Sequence, residues 1–487
     1  MNRGAILVLG VLLALGVPSP GVAGQATAVT PQSGDELRRR IEELERVMKA
    51  EIEGLRAQLE AQEAEVARLR ATAPLAAPSA PAAPPTSGRA VVSATATQET
   101  FSRERETAAR VDNVPIDPAM IGFFGIPNTP ARLKVDGYAK LDAIFDPHPA
   151  GNADQFNVGT IPIDLPEAER VANTNIHARQ TRVQLDFRSP SALGSDFRAF
   201  AEIDFFGSSG AVDPRMRHFY GQLQNVLLGQ TWTTFTDVDA FPDQLDFAGP
   251  AGISFLRQPQ IRYTQPLARG QSVAFGIEKA TVQAPQITSS GSPYTPAPDL
   301  VVRYRLERPL GHIQLGSVSR VLGYRVATRN RKHYGYALNA SGGLKVFGDD
   351  RVMAYVMGGR GAARYVDNIS GLNADLDRDD SGTDVDPLGV FGTYAAFTHR
   401  WPYRLRSTFV YGYSSIDNTR SQSATAYQDG HYFSGNLLFN PMGGGLNLGV
   451  EYLYGQKVQH DGAHGTANRI QFAAKYDLYR KRPVDQP

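Results

Sequence analysis

The stretch that decides the fold is Ile470-Gln471-Phe472-Ala473-Ala474-Lys475-Tyr476-Asp477-Leu478, close to the end of the 487-residue chain. Its large apolar side chains alternate with polar ones, and successive side chains of a β-strand point to opposite faces of the sheet. The same alternation recurs from about residue 133 onward. It predicts an all-β domain with one apolar and one polar face, either a soluble sandwich or a transmembrane barrel with a polar lumen.

The N-terminus favours the barrel because it is typical of an exported protein. Arg3 supplies a positive charge, residues 6–17 form a short apolar run, and Gly21-Val22-Ala23 provides the small residues of a cleavage site. An uncleaved anchor helix is the alternative, but the run is short for a membrane span. We therefore predict a signal peptide over residues 1–23.

The composition narrows the class further. The chain has no cysteine and a formal net charge of +1, which argues against a disulfide-rich secreted domain and against charge-driven binding of nucleic acid. The mean hydropathy is −0.29, and no long apolar run follows the signal, which excludes a helical membrane protein. A β-barrel remains compatible with these values, since the apolar signal of each strand is weak.

A helical pattern precedes the strands. Its apolar row advances in steps of three and four residues and consists of Leu37, Ile41, Leu44, Met48, Ile52, Leu55, Leu59, Val66 and Leu69. This spacing is typical of a coiled-coil seam, so we predict a periplasmic coiled coil within residues 24–70. A lone amphipathic helix on the barrel or membrane surface is the alternative, although the mixed charges of the polar face disfavour it.

Residues 71–115 are predicted to be a linker. They are rich in proline and alanine up to about residue 87 and polar beyond it, a composition that produces a semi-extended tether. The β-barrel domain is assigned to residues 116–480, and residues 481–487 form a C-terminal tail.

About sixteen strand segments follow the linker, an even number as in bacterial single-chain barrels. We place them near 131–145, 175–188, 196–207, 214–224, 225–235, 258–266, 271–281, 298–308, 311–322, 332–346, 351–365, 388–400, 403–415, 429–440, 443–458 and 467–479. Many approach the length that crosses a bilayer at a tilt. Tight turns alternate with long polar insertions at 146–174, 282–297 and 366–387, which is the layout of an outer-membrane barrel.

The alternation also predicts which side chains line the lumen. In residues 181–188 the apolar side chains face outward, so Arg182 faces inward. The same rule yields a pore-lining set of Arg182, Arg198, Arg262, Arg303 and Arg305, and Arg404 and Arg406 repeat the pattern. A group of arginines in a narrow pore attracts anions. For any single arginine, the alternative is that it pairs with an acidic neighbour and braces the wall.

Two stretches resemble DcaP-like outer-membrane porins. They are Ile121-Gly122-Phe123-Phe124-Gly125-Ile126-Pro127 followed by Leu133-Lys134-Val135-Asp136-Gly137-Tyr138-Ala139-Lys140-Leu141-Asp142, and Leu228-Gly229-Gln230-Thr231-Trp232-Thr233. The resemblance covers roughly residues 115–480, and the coiled coil fits it too. Many porins end on an aromatic residue of the last strand, whereas here residues 480–487 follow Tyr479, which concerns assembly rather than the fold.

This resemblance implies a sixteen-stranded trimer that passes small organic dicarboxylates and related anions. It also implies a constriction loop at residues 235–256 that folds inward opposite the arginines. The acidic residues of that loop are Asp237, Asp239, Asp243 and Asp246.

No sequence motif indicates an enzyme or a cofactor. The sequence contains no Gly-x-Ser-x-Gly, His-Glu-x-x-His or Walker motif, and its nine histidines show no ligand spacing. Asp377, Asp379 and Ser381 are similar to the start of a calcium loop, but position twelve of that pattern is Leu388 instead of a bidentate acid. An acidic, solvated loop is the alternative. We predict no catalytic residue, cofactor or metal.

Together these features predict a homotrimeric porin of the Gram-negative outer membrane, a diffusion channel for small anions such as dicarboxylates. Its expected partners are outer-membrane lipid, further copies of the chain and the solutes, with peptidoglycan a candidate for the periplasmic helix and nucleic acid excluded. The alternative is a structural or adhesive envelope protein whose barrel anchors the coiled coil. Single-channel conductance separates the two, because an anchor with a plugged lumen would be silent.

A peptide of residues 37–69 tests the coiled coil. We expect it to self-associate as a helix, and we expect Leu55→Lys to dissociate it, because the substitution places a charge in the apolar seam. Analytical ultracentrifugation and circular dichroism measure both effects. A peptide that remains monomeric and unfolded at high concentration would contradict the seam.

Overall fold

The computed structural model describes residues 100–110, 120–190, 196–207, 212–286, 291–326, 329–382, 384–442 and 445–478, together with the helical residues Arg46 and Glu53. The chain divides into two units, Met1–Pro85 and Thr86–Pro487. The predicted signal peptide and C-terminal tail lie outside the described residues, and so does the coiled coil apart from those two positions. The barrel and residues 100–110 belong to the second unit.

Sixteen antiparallel strands form a closed ring. Their bounds are β1 Arg132–Asp146, β2 Arg182–Pro190, β3 Asp196–Asp204, β4 Arg215–Leu223, β5 Val226–Trp232, β6 Arg257–Ala268, β7 Gln271–Glu278, β8 Asp299–Arg308, β9 Gly311–Val326, β10 Arg329–Lys345, β11 Arg351–Arg360, β12 Gly389–Arg400, β13 Leu405–Asp417, β14 Tyr427–Phe439, β15 Leu446–Gln459 and β16 His464–Asp477. Each strand pairs with the next, and β16 pairs with β1, where Ile470 lies opposite Phe145. The predicted barrel of about sixteen strands is confirmed.

Smaller elements accompany the ring. Strand pieces Phe124–Gly125 and Asn173–His177 pair with β1, Ser292–Tyr294 pairs with β9, and Leu376–Arg378 pairs with Val385–Pro387. The helical turns are α1 Glu104–Thr107 and the 3₁₀ turns Val158–Thr160, Glu167–Glu169, Val238–Ala240 and Ala363–Tyr365. No helix in the described part of the chain is long and apolar enough to span a membrane.

Burial along the strands is inverted relative to a soluble protein. On β16, Phe472 and Tyr476 are 55% and 57% exposed, whereas Gln471 and Lys475 are 2% and 1% exposed. The largest fully buried side chains include five arginines, Arg105 and the strand residues Arg182, Arg217, Arg320 and Arg469. An apolar outer surface around a charged interior suits lipid outside and a polar lumen inside, so the barrel reading holds and the soluble sandwich does not.

The two rims of the barrel differ. On one rim the connections are short, as at the two-residue turn between Leu223 and Val226, where Gln224 has φ 51°. On the other rim the connections are long, as between β1 and β2, β5 and β6, β7 and β8, and β11 and β12. This asymmetry agrees with the predicted alternation of tight turns and polar insertions.

The depth dependence of the lipid face gives a test of the fold. Leu338, in the middle of β10, is 62% exposed, and Leu344, beside the short-turn rim, is 49% exposed. We expect Leu338→Arg to lower the free energy of unfolding by about 2–4 kcal/mol and Leu344→Arg by about 0–1 kcal/mol, because a charge costs most at the bilayer midplane. Denaturant unfolding in lipid vesicles measures both. Equal costs would contradict this placement.

Candidate pore and its lining

The connection between β5 and β6 folds into the ring. We call residues 233–256 the inner loop, and nearly all of them are buried. At its base the backbone N–H of Thr233 donates to the carbonyl of Leu256 at 3.0 Å. At its far side the N–H groups of Leu245 and Asp246 donate to Glu451 of β15 at 2.7 and 2.9 Å. The loop therefore crosses the lumen from one wall to the opposite one.

Two of the acidic residues predicted for this loop bind one wall. Asp237 accepts hydrogen bonds from Arg305 at 3.0 Å, His312 at 2.8 Å and Ser341 at 2.8 Å. Asp239 pairs with the same Arg305 at 2.5 Å. Burial alone would raise the pKa of Asp237, but His312 and Arg305 hold it well below its usual range. These carboxylates are ionised, and they neutralise the positive charge of Arg305 on the wall.

The other two acidic residues differ from each other. Asp243 accepts from Arg406 at 2.6 Å and from the N–H of Phe101 at 2.6 Å. Among the described residues, Asp246 accepts from backbone N–H groups, those of Phe156 at 2.9 Å and Gly249 at 3.2 Å. Burial raises the pKa of Asp246 to about 6. Asp246 is therefore a carboxylate whose charge changes near neutral pH.

Three of the five predicted pore arginines are ion-paired. Arg182 pairs with Glu104 at 2.5 Å, Arg198 with Asp186 at 2.8 Å, and Arg305 with Asp237 and Asp239. All three are buried. For these three arginines the structure therefore agrees with the alternative interpretation, in which an arginine pairs with an acidic neighbour and stabilises the wall.

Arg262 and Arg303 are placed differently. Arg262 donates to the hydroxyl of Thr234 at 3.0 Å and to the carbonyl of Trp232. Arg303 is partly exposed, and its Nε is buried with no hydrogen-bond partner. Within the described ranges, no carboxylate forms an ion pair with either residue.

One arginine that was predicted to face the lumen, Arg404, does not do so. The prediction that it faces the lumen beside Arg406 is wrong, because Arg404 is exposed in the turn between β12 and β13 with φ 62°. The strand begins only at Leu405, so the alternation does not extend to Arg404. Arg406 does face inward.

The alternation missed Arg217 because of a β-bulge. The pairing of β3 with β4 shifts between His218, opposite Glu202, and Met216, opposite Ile203. The extra residue places Arg217 and His218 both inside, each fully buried. Arg217 binds Glu202 at 2.5 Å and Asp204 at 2.9 Å. A period of two cannot locate such a residue.

Residues 100–110, which the sequence assigned to the linker ahead of the barrel, lie inside the ring. We call them the lumen segment. Arg103 pairs with Asp136 of β1 at 2.9 Å, Arg110 pairs with Asp239 at 2.6 Å, and Arg105 donates to the sulfur of Met353 on β11 at 3.5 Å. The lumen segment therefore contacts distant parts of the wall. Its sequence has no strand-like pattern from which this position inside the barrel could be predicted.

A cavity lies between parts of the lumen segment and the inner loop. Its lining comprises Ser102, Glu104, Gln180, Arg182, Phe241, Pro242, Gln244, Asp246, Phe247, Gly249, Ile253 and Phe255. Charged groups therefore meet an aromatic surface at this point, a combination suited to small organic anions.

The described residues contain few groups of side chains that could bind a metal ion. Of the described residues, only Glu104, Glu202 and His218 bring three candidate ligand groups within 4.8 Å of one another. Arg182 and Arg217 already supply positive charge to these carboxylates. In the calcium-like loop, Ser381 donates to Asp379 at 2.7 Å and Gln422 donates to Asp377 at 2.9 Å. Those oxygens therefore bind Ser381 of the same loop and Gln422 of the connection between β13 and β14.

Comparison with known proteins agrees with this architecture. A family model described as DcaP outer membrane protein matches residues 125–478. The outer membrane channel DcaP of Acinetobacter baumannii has 22% identity and a TM-score of 0.65, covering 74% of this chain and 100% of that one. An anion-selective porin from Comamonas acidovorans has 10% identity and a TM-score of 0.49, covering 72% and 100%. No curated protein matches the chain.

Two acidic residues beside the cavity predict a pH dependence. Burial and the nearby Asp246 raise the pKa of Asp367 to about 7, and burial raises that of Asp246 to about 6. Lowering the pH from 8 to 5 protonates both and removes negative charge from the lumen. We therefore expect the preference of the channel for anions to increase, as measured by the reversal potential in a KCl gradient.

The double variant Asp246→Asn/Asp367→Asn should reduce the pH dependence of the reversal potential over this range. Asp349→Asn, an exposed position whose pKa is held below its usual value by Lys345, is the matched control and should keep the dependence. A double variant that retains the full pH response would contradict the assignment.

Proposed function

Because the chain belongs to the DcaP outer membrane protein family, we propose that this outer-membrane, porin-like channel conducts small anionic organic solutes such as dicarboxylates. The family and the fold indicate a channel rather than an enzyme. The preference for anions and the class of solute are the proposed part, and they are argued below from the charges of the lumen.

The observation that carries the proposal is the pair Arg262 and Arg303. Both lie on the inner face beside the inner loop without an ion-paired carboxylate among the described residues, unlike Arg182, Arg198 and Arg305. The strand between them places small inward residues opposite, with Gly276 across from Arg262 and Ala274 across from Arg303. Arginines without a counter-ion in a region of low dielectric attract anions.

Two guanidinium groups suit a dicarboxylate better than a single halide ion. Each planar group offers paired donors that match the two oxygens of a carboxylate. A solute with two carboxylates engages both arginines at once. Arg182, Arg198 and Arg305 contribute to the proposal mainly by holding Asp186, the inner loop and the lumen segment in place.

We propose that the channel assembles as a homotrimer, as the resemblance and the predicted coiled coil suggest, with the N-terminal helix in the periplasm. The structural alternative, a barrel that anchors a periplasmic coiled coil, has one supporting observation: the lumen segment and the inner loop occupy much of the lumen. Single-channel recording of the full chain separates the two, because an anchor would remain silent at all voltages.

Substitution of the unpaired arginines tests selectivity. We expect Arg262→Gln/Arg303→Gln to shift the reversal potential in a KCl gradient toward cations and to lower the succinate flux at least about tenfold. Each guanidinium lost removes a charge-assisted contact of about 1.5–3 kcal/mol, and about 1.4 kcal/mol already corresponds to a factor of ten. Arg262→Lys/Arg303→Lys should keep the reversal potential but lower the succinate flux, because lysine retains charge without the planar fork.

Liposome swelling with succinate and planar-bilayer recording provide the two measurements. A Gln double variant that inserts normally and keeps both the reversal potential and the succinate flux would show that selectivity lies elsewhere.

A further inference from the structure

The carboxylate of Glu104 on the lumen segment sits between two arginines of the wall. Its Oε1 accepts from Arg182 at 2.5 Å and from Arg217 at 2.7 Å. The exposed fractions of Arg182, Arg217 and Glu104 are 0%, 0% and 2%. Although burial alone would raise the pKa of Glu104, Arg182 and Arg217 hold it below its usual value. An ionised carboxylate thus fills a site made of two guanidinium groups.

The wall supplies fewer negative charges than these arginines need. Asp204 is shared by Arg215 at 2.7 Å and Arg217 at 2.9 Å, and Glu202 binds Arg217 at 2.5 Å. Arg182 approaches Glu202 only to 3.7 Å. Without Glu104, three guanidinium groups would face two carboxylates, and Arg182 would lose the nearer of its two carboxylate partners among the described residues. The wall alone therefore leaves a vacancy for one anion.

Glu104 does not exhaust the donors of this site. Its second oxygen, Oε2, and the Nε of Arg182 are both buried without a hydrogen-bond partner in the described structure. Nearby, Nη1 of Arg257 is also buried without a partner. A free carboxylate can adopt the bidentate geometry that a side chain tied to a backbone does not reach here. The site therefore has donor capacity beyond what the lumen segment uses.

We propose that Arg182 and Arg217 form a binding site for the carboxylate group of a solute and that Glu104 occupies this site as an intramolecular ligand. The cavity is lined by both Glu104 and Arg182, and it is the side from which a solute carboxylate would approach this site. Solute and lumen segment then compete for one site. This inference rests on the proposed function, because it takes small carboxylates as the solutes.

This competition should change the apparent Kd of a solute carboxylate by a measurable factor. If Glu104 fills the site for more than about nine-tenths of the time, it raises the apparent Kd of a solute carboxylate about tenfold, because the solute binds only the vacant fraction. A tethered ligand of this kind acts at an effective concentration on the order of millimolar. The lumen segment would therefore yield to carboxylate solutes when they are abundant and stay in place when they are scarce.

The test is a fluorescence titration of the full chain in detergent with succinate, with neutral succinamide as the matched control. The chain has two tryptophans, and Trp401→Phe leaves Trp232, whose ring centroid lies 6.0 Å from the guanidinium carbon of Arg217. In this background we expect Glu104→Gln to tighten the apparent Kd for succinate at least about tenfold. Adding Arg217→Gln should abolish that tight binding.

Glu106→Gln is the matched control variant, because Glu106 lies on the same helical turn but pairs with Arg103 of its own segment. It should leave the succinate Kd unchanged. Equal Kd values for Glu104→Gln and Glu106→Gln would overturn the inference. If Glu104→Gln does not assemble, Glu104→Asp, which keeps the charge on a shorter side chain, should tighten succinate binding by a smaller factor, and an unchanged Kd would again overturn it.

The failure of this inference is distinguishable from that of the proposed function. A wild-type channel with a cation-selective reversal potential would refute the preference for anions, whatever the titration shows. An anion-selective channel whose succinate affinity ignores Glu104 would refute the role of the lumen segment alone.

Discussion

Closure of the ring between β1 and β16 is the constraint on which the rest of this structure depends. In lipid, every backbone N–H and C=O of a spanning strand must find a partner within the protein, and only a closed barrel satisfies both edges of a sheet. Pairing from Tyr138 opposite Asp477 to Phe145 opposite Ile470 closes the sheet. Closure fixes which side chains meet lipid and which are enclosed.

Enclosure creates an electrostatic problem that the chain solves with ion pairs. An isolated charge in a low-dielectric interior is costly, whereas a charge with a well-placed partner is tolerated. Arg469 with Asp146 at 2.7 Å and Arg305 with Asp237 at 3.0 Å follow this rule. Arg262 and Arg303 depart from it, and for this reason they carry the proposed selectivity.

Three parts of the chain therefore determine the charges of the lumen. The wall contributes paired and unpaired arginines, the inner loop contributes acidic residues that neutralise part of the wall, and the lumen segment contributes Glu104. The inner loop is held by Glu451 and Asn436 as well as by arginines. The lumen segment carries a single helical turn, and its charged side chains form ion pairs with the wall and the inner loop.

The sequence by itself determined the barrel. Each strand has one face in lipid and one in the lumen, so apolar and polar residues alternate along it. This alternation located all sixteen strands. It also predicted correctly that five arginines face inward, namely Arg182, Arg198, Arg262, Arg303 and Arg305. Only the tertiary structure decided which charges are neutralised. The bulge at Arg217, the pairing of Asp237 with Arg305 and the entry of residues 100–110 into the lumen join residues far apart in the chain, and a local pattern carries no information about such contacts.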